Sequence, residues 1–192
     1  RGKTMKKIYI VTTFTGTLLS CLIRNISKTP YAHVSIALNE YLRPMYSFGR
    51  LNPKTPIFAG FVEENINEGL YAIRTNTMCR VYSLMVTERQ YEKLKENIDN
   101  VSINRKQYVY DVKALVYLSV NKPRKKDYKY VCSHFVADML KRSEINILDK
   151  EPHQVRPNDF YDLNELELEY EGLLSNYYEK DKVHNIGDVV KI

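Results

Sequence analysis

Tyr130-Val131-Cys132-Ser133-His134-Phe135-Val136-Ala137-Asp138-Met139-Leu140 is the stretch on which the reading of this chain turns. An extended, aromatic approach gives way to Phe135, Val136, Met139 and Leu140, the i, i+1, i+4, i+5 stripe of a buried helix face. The spacing places Cys132 at or near the helix's first turn. Unpaired N–H groups and the helix dipole favour an anion there, which stabilises a thiolate. A cysteine so placed is either a nucleophile or an ordinary core residue, and the rest of the chain has to decide.

A nucleophilic cysteine needs a base, and the base needs orienting. Of four histidines, His134 is nearest, but two residues along a helix is a rotation of about 200°, so it points away from Cys132. His153 and His184 lie in poorly patterned segments. His33 lies in Ala32-His33-Val34-Ser35-Ile36-Ala37-Leu38, an alternating strand with Val34, Ile36 and Leu38 on one face and His33, Ser35 and Ala37 on the other. A strand can hold a base rigidly. A strand His facing a helix-start Cys is the arrangement of papain-like enzymes, whose partners are distant in sequence and adjacent in space.

The 192 residues suit one domain, with enough interior to fold without staples. We assign it to residues 5–176, with 177–192 as a C-terminal tail. No run of about 18 apolar residues is present, so no transmembrane segment is expected. The apolar stretch after Lys6 and Lys7 ends at Thr12 and Thr13, too short for a signal peptide. Three cysteines cannot all pair, and their spacing matches no zinc pattern. A reducing, cytoplasmic setting is therefore expected. The net charge of +6 is interspersed with 23 acidic residues. It permits an anionic partner without requiring one, and no nucleic-acid motif or basic stripe appears.

Along the chain, Lys7–Thr13 reads as a strand and Leu18–Ile26 as a helix with Cys21 on its apolar face. Met45–Phe48 reads as a strand ending at Gly49. Residues 50–69, with Pro53, Pro56, Gly60 and Gly69, read as a long loop. Cys79–Val86 reads as a strand, with Cys79 in a packing role. Thr87 and Gln90 form a capping box for a helix over Glu88–Ile98. Residues 108–120 read as a helix, Arg156–Phe160 as a short helix start with Pro157 in its first turn, and Leu166–Leu173 as a late strand. A basic loop over 122–129 precedes the cysteine helix. Bunched strands with segregated helices argue for an α+β fold.

Four segments carry a resemblance: Tyr31–Leu38, Met45-Tyr-Ser-Phe-Gly-Arg50, Gly60-Phe-Val-Glu-Glu64 and Val131-Cys-Ser-His-Phe-Val-Ala137. Together they resemble a bacterial branch of the permuted papain-like, NlpC-type cysteine hydrolases, whose broad superfamily includes the lecithin retinol acyltransferase group. In permuted members the His strand precedes the Cys helix, and that order holds over residues 7–175. The resemblance implies a circularly permuted papain-like fold, an antiparallel sheet packed against a helix carrying the cysteine. It makes Cys132 the nucleophile and His33 the base.

The family's third polar residue comes from the strand after the His strand, where Ser47 is the candidate. A serine can accept the imidazole N–H but cannot stabilise imidazolium as a carboxylate would. Glu63, Glu64 or Asn52 are the other candidate orienters. The Cys132 N–H is the expected oxyanion donor, and Tyr31, Tyr130 and Glu64 are assigned to substrate binding. The expected activity is a cysteine hydrolase or acyltransferase acting on an amide, ester or thioester of a small-molecule, lipid or peptide substrate. Neither metal nor organic cofactor is implied. The alternative is an inactive member serving as a binding module for a peptide or anionic ligand, which the serine at the third position favours.

Overall fold

A computed structural model of the protein describes residues 4–16, 30–52, 55–119, 122, 125–161 and 163–179. The expected helix over 18–26, with Cys21, lies outside the described residues, as do His184 and the end of the tail.

The fold is α+β. Its centre is a six-stranded antiparallel sheet with strands β1 (Met5–Phe14), β2 (His33–Ala37), β3 (Met45–Asn52), β4 (Thr55–Glu64), β5 (Met78–Thr87) and β8 (Glu167–Leu173), in the order β4-β3-β2-β1-β5-β8. Among the described residues the α-helices are α1 (Gly69–Ile73), α2 (Glu88–Ile103), α3 (Val112–Ser119) and α4 (Cys132–Arg142). A second, parallel pair joins β6 (Val109–Tyr110) to β7 (Lys129–Tyr130). No helix among the described residues is long and apolar enough to cross a membrane.

Alternation along the strands divides the interior between the two faces of the sheet. Ile8, Ile10, Val34, Ile36 and Phe48 share one cluster with Leu94 and Ile98 of α2 and Phe135, Val136, Met139 and Leu140 of α4. The stripe read from the sequence is therefore the face that docks α4 on the sheet. Phe135 is completely buried, and burying a side chain of that kind contributes about 1.5–3 kcal/mol. Tyr9, Val11, Ala37 and Met45 point the other way, under Leu42, Ile66, Tyr71, Leu174 and Tyr177.

Several local expectations match what forms. Thr87 caps α2 by accepting from Gln90 N while the Gln90 side chain accepts from Thr87 N, the reciprocal box. Pro157 opens a single 3-10 turn over Pro157–Phe160. Two expectations are corrected. The stretch expected as a loop over 50–69 holds the end of β3, the whole of β4 and the start of α1. A Pro is compatible with β4 because β4 is an edge strand, paired only to β3. The helix expected over 108–120 starts only at Val112, because Val109 and Tyr110 pair with Lys129 and Tyr130.

Candidate active site

His33 is the first residue of β2 and Cys132 the first residue of α4. The Cys132 side chain lies within interaction range of the His33 ring and helps to raise its pKa. His33 Nε2 lies 3.1 Å from both Oε1 and Oε2 of Glu64, the last residue of β4. A carboxylate only accepts, so Nε2 carries the hydrogen and Nδ1 is the ring nitrogen left for the sulfur. The imidazole is thus fixed by the carboxylate on one side and open to the thiol on the other. Beneath it, a Cβ on Gly49 would lie 3.4 Å from His33 Cε1 and 3.5 Å from Glu64 Oε1, ordinary contact distances that put the β3 backbone directly against the pair.

Glu64 collects three donors. Ser35 Oγ donates to Oε2 at 2.7 Å, and Tyr71 OH donates to the same oxygen at 3.5 Å, alongside His33. Thr13 Oγ1 lies 3.3 Å from Tyr71 OH and completes the relay, on the β1 residue paired with His33. Burial alone would raise the Glu64 pKa, but the His33 charge and the three hydrogen bonds hold it below the usual carboxylate range. Burial likewise opposes charge on His33, yet the Glu64 charge, the Cys132 side chain and the Glu64 hydrogen bonds lift it well above the ordinary histidine value. The side chains of His33 and Glu64 are 20% and 17% exposed, so the pair is sheltered but reachable.

The amides of the first turn of α4 have no acceptor within the helix. Its N-cap, Val131, is extended and offers no side-chain cap. The Cys132 N–H therefore stands beside its own sulfur as a donor. Tyr110 is nearby, because β6 runs alongside β7 and pairs Tyr110 with Tyr130, two residues before Cys132. Burial and the Cys132 charge push the Tyr110 phenol far up, against the pull of Arg50, so it stays a protonated donor.

The other expected residues stand elsewhere. Ser47 does not hold the ring; its buried hydroxyl donates to the Val34 carbonyl at 2.7 Å. Glu64, assigned from the sequence to substrate binding and named there as a possible orienter, is the residue that contacts the ring. Glu63 accepts from Ser102 Oγ at 3.2 Å, and the side chain of Asn52 lies outside the described residues. Tyr31 donates to Glu171 Oε1 at 3.1 Å, within a group where Arg80 stacks over Tyr31 and Tyr161. Tyr130 donates to Asp138 and accepts from Arg142 Nη2 at 3.0 Å. Neither phenol is therefore directed at the sulfur as an oxyanion donor. His134 packs on Tyr130 with ring centroids 4.5 Å apart, and burial brings its pKa down to about 4.

The sequence reading missed Tyr71, Thr13, Tyr110 and the engagement of Ser35. Ser35 alone had a local signal, its i+2 position on the His33 face. Among the described residues no group of three His, Cys, Asp or Glu could hold a metal. No family model matches the chain, and no curated protein matches it either.

Proposed function

We propose that this protein is a cysteine hydrolase or acyltransferase of the permuted papain-like type, acting on an amide, ester or thioester. Cys132 is the nucleophile, His33 the base and Glu64 the orienting carboxylate. One observation carries the reading: the His33 ring, beside a helix-start thiol, is held at 3.1 Å by a half-buried carboxylate whose pKa is lowered.

In the reaction His33 Nδ1 takes the thiol proton and the sulfur attacks the carbonyl carbon, forming an S–C bond. The carbonyl oxygen gains the negative charge and is met by the Cys132 N–H. Collapse breaks the bond to the leaving group, which takes the proton from His33. Water or an acceptor, deprotonated by the same ring, then attacks the thioester and regenerates the thiol. Glu64 keeps Nε2–H in place and stabilises the imidazolium, the part a serine could not play. The serine at position 47 favoured the binding-module alternative; the Glu64 carboxylate on the ring supports the catalytic reading instead.

Iodoacetamide labelling near neutral pH is the test. Cys132 is expected to react faster than Cys21 and Cys79, the latter buried with its thiol pushed up to about 12, and His33→Ala is expected to remove the advantage. Equal labelling of all three cysteines in the folded protein would overturn the reading.

A further inference from the structure

The net charge of +6 is interspersed with acids over most of the chain but not over all of it. Residues 105–129 hold eight Lys and Arg against two Asp, an excess equal to the whole net charge, so the remaining residues balance to zero. In sequence the segment is two basic clusters separated by α3. In the fold the clusters meet, because β6 and β7 run side by side with Val109 opposite Lys129 and Tyr110 opposite Tyr130. Side chains alternate across such a pair. Tyr110 and Tyr130 turn into the protein, and Val109 and Lys129 turn outward. The exposed Lys106, Lys113, Lys125 and Lys126 lie within four residues of this pair. None of them forms an ion pair among the described residues.

Three apolar side chains stand among these lysines, Val109, Val112 and Tyr128, each more than half exposed. Val109 N donates to the Tyr128 carbonyl at 2.8 Å, which sets two of them next to each other. Tyr128 has a φ of 57°, a left-handed conformation that is costly for a bulky residue. The backbone is thus strained where it holds this ring outward, edge-on to Tyr108.

The mixture of side chains selects the partner. Lysine is depleted from protein–protein interfaces. A nucleic acid would meet the lysines with phosphates, but it has no apolar phase for two valines, and one exposed ring is no stacking platform. An anionic bilayer meets both halves of the patch. Its surface potential draws lysines, and its headgroup boundary takes up tyrosine and aliphatic side chains. We infer that this face docks the protein on an anionic phospholipid bilayer, with Val109, Val112 and Tyr128 entering the headgroup boundary and the lysines facing lipid phosphates. The inference concerns where the protein sits and is independent of the dyad.

Co-sedimentation of the full chain with vesicles tests it, comparing phosphatidylcholine alone with phosphatidylcholine and phosphatidylserine at about 3:1. Binding to the mixed vesicles is expected to be about tenfold or more tighter, and to weaken steeply as salt rises. Lys125→Gln combined with Lys126→Gln should weaken it about 25-fold. Val112→Ser should weaken it about threefold and leave the salt dependence unchanged. Equal binding to the two vesicle types, or none, overturns the docking face, as does an unchanged affinity in the folded double variant. Should that variant fail to fold, the wild-type comparison of vesicles decides. Tighter binding to duplex DNA than to mixed vesicles, with Val112→Ser altering neither, overturns it in favour of a polyanion. Cys132→Ala should bind vesicles as the wild type does, so failure of the dyad would leave this result untouched.

Discussion

Ser35 Oγ donates to Glu64 Oε2 at 2.7 Å, from the strand position two residues after the imidazole that the same carboxylate holds. One strand thus supplies the ring and a hydroxyl that fixes the ring's partner. Ser35→Ala is expected to lower stability by about 1.5–3 kcal/mol, the range for a hydrogen bond to a charged group. Denaturant unfolding measures that loss, and it should come with slower labelling of Cys132.

Glu64→Gln removes the charge and keeps the shape. The His33 imidazolium then loses its main attraction, so its pKa should fall towards the ordinary histidine value. Turnover on an activated ester is expected to drop by about 100-fold or more, as when an orienting carboxylate is amidated in comparable triads. The test pairs that rate with the histidine titration followed by NMR. A lost rate with an unmoved titration would show that Glu64 acts other than through His33.

The same pair gives stability a pH window. His33 has a raised pKa, so its contribution is complete below about 6.5, its ordinary value, and is lost as pH rises through the folded value. Glu64 has a lowered pKa, so its contribution is complete above its ordinary 4.5 and is lost as pH falls through the folded value. Both are fully present between those ordinary values. The melting temperature of the wild type, less that of His33→Ala, should peak there and shrink on both sides.

His134 supplies the control. Its ring is buried against Tyr130, with its pKa brought down to about 4 by burial. Its NMR signals are expected to stay those of neutral imidazole from pH 5 to 8. His134→Gln should leave the ratio of Cys132 to Cys79 labelling unchanged, in contrast to His33→Ala.

The parts of this site that were legible in the sequence are those set by local pattern. Alternation placed His33 opposite Val34 and Ile36, helical spacing placed Cys132 at a helix start, and Thr87 with Gln90 announced the start of α2. Glu64 appeared among the possible orienters, but nothing local could choose it over Ser47. That choice depends on the register of β3 against β4, in which Met45 lies opposite Glu64. It also depends on the commitment of Ser47 to a backbone carbonyl, which no pattern encodes. β4 itself was hidden by Pro56 and Gly60, which read as loop signals until its edge position is known. Tyr71 comes from a helix of one turn, too short to leave a periodic trace.

β4 has a sheet neighbour on one side only, and the residue that ends it is Glu64. Peripheral strands open more readily than central ones, without the rest of the molecule following. His33, on β2, sits two strands further in, and Cys132 starts a helix anchored by Phe135. Warming should therefore part the carboxylate from the ring while both reacting groups remain in place. Activity would then fade at temperatures where circular dichroism still records an intact sheet, and would return on cooling.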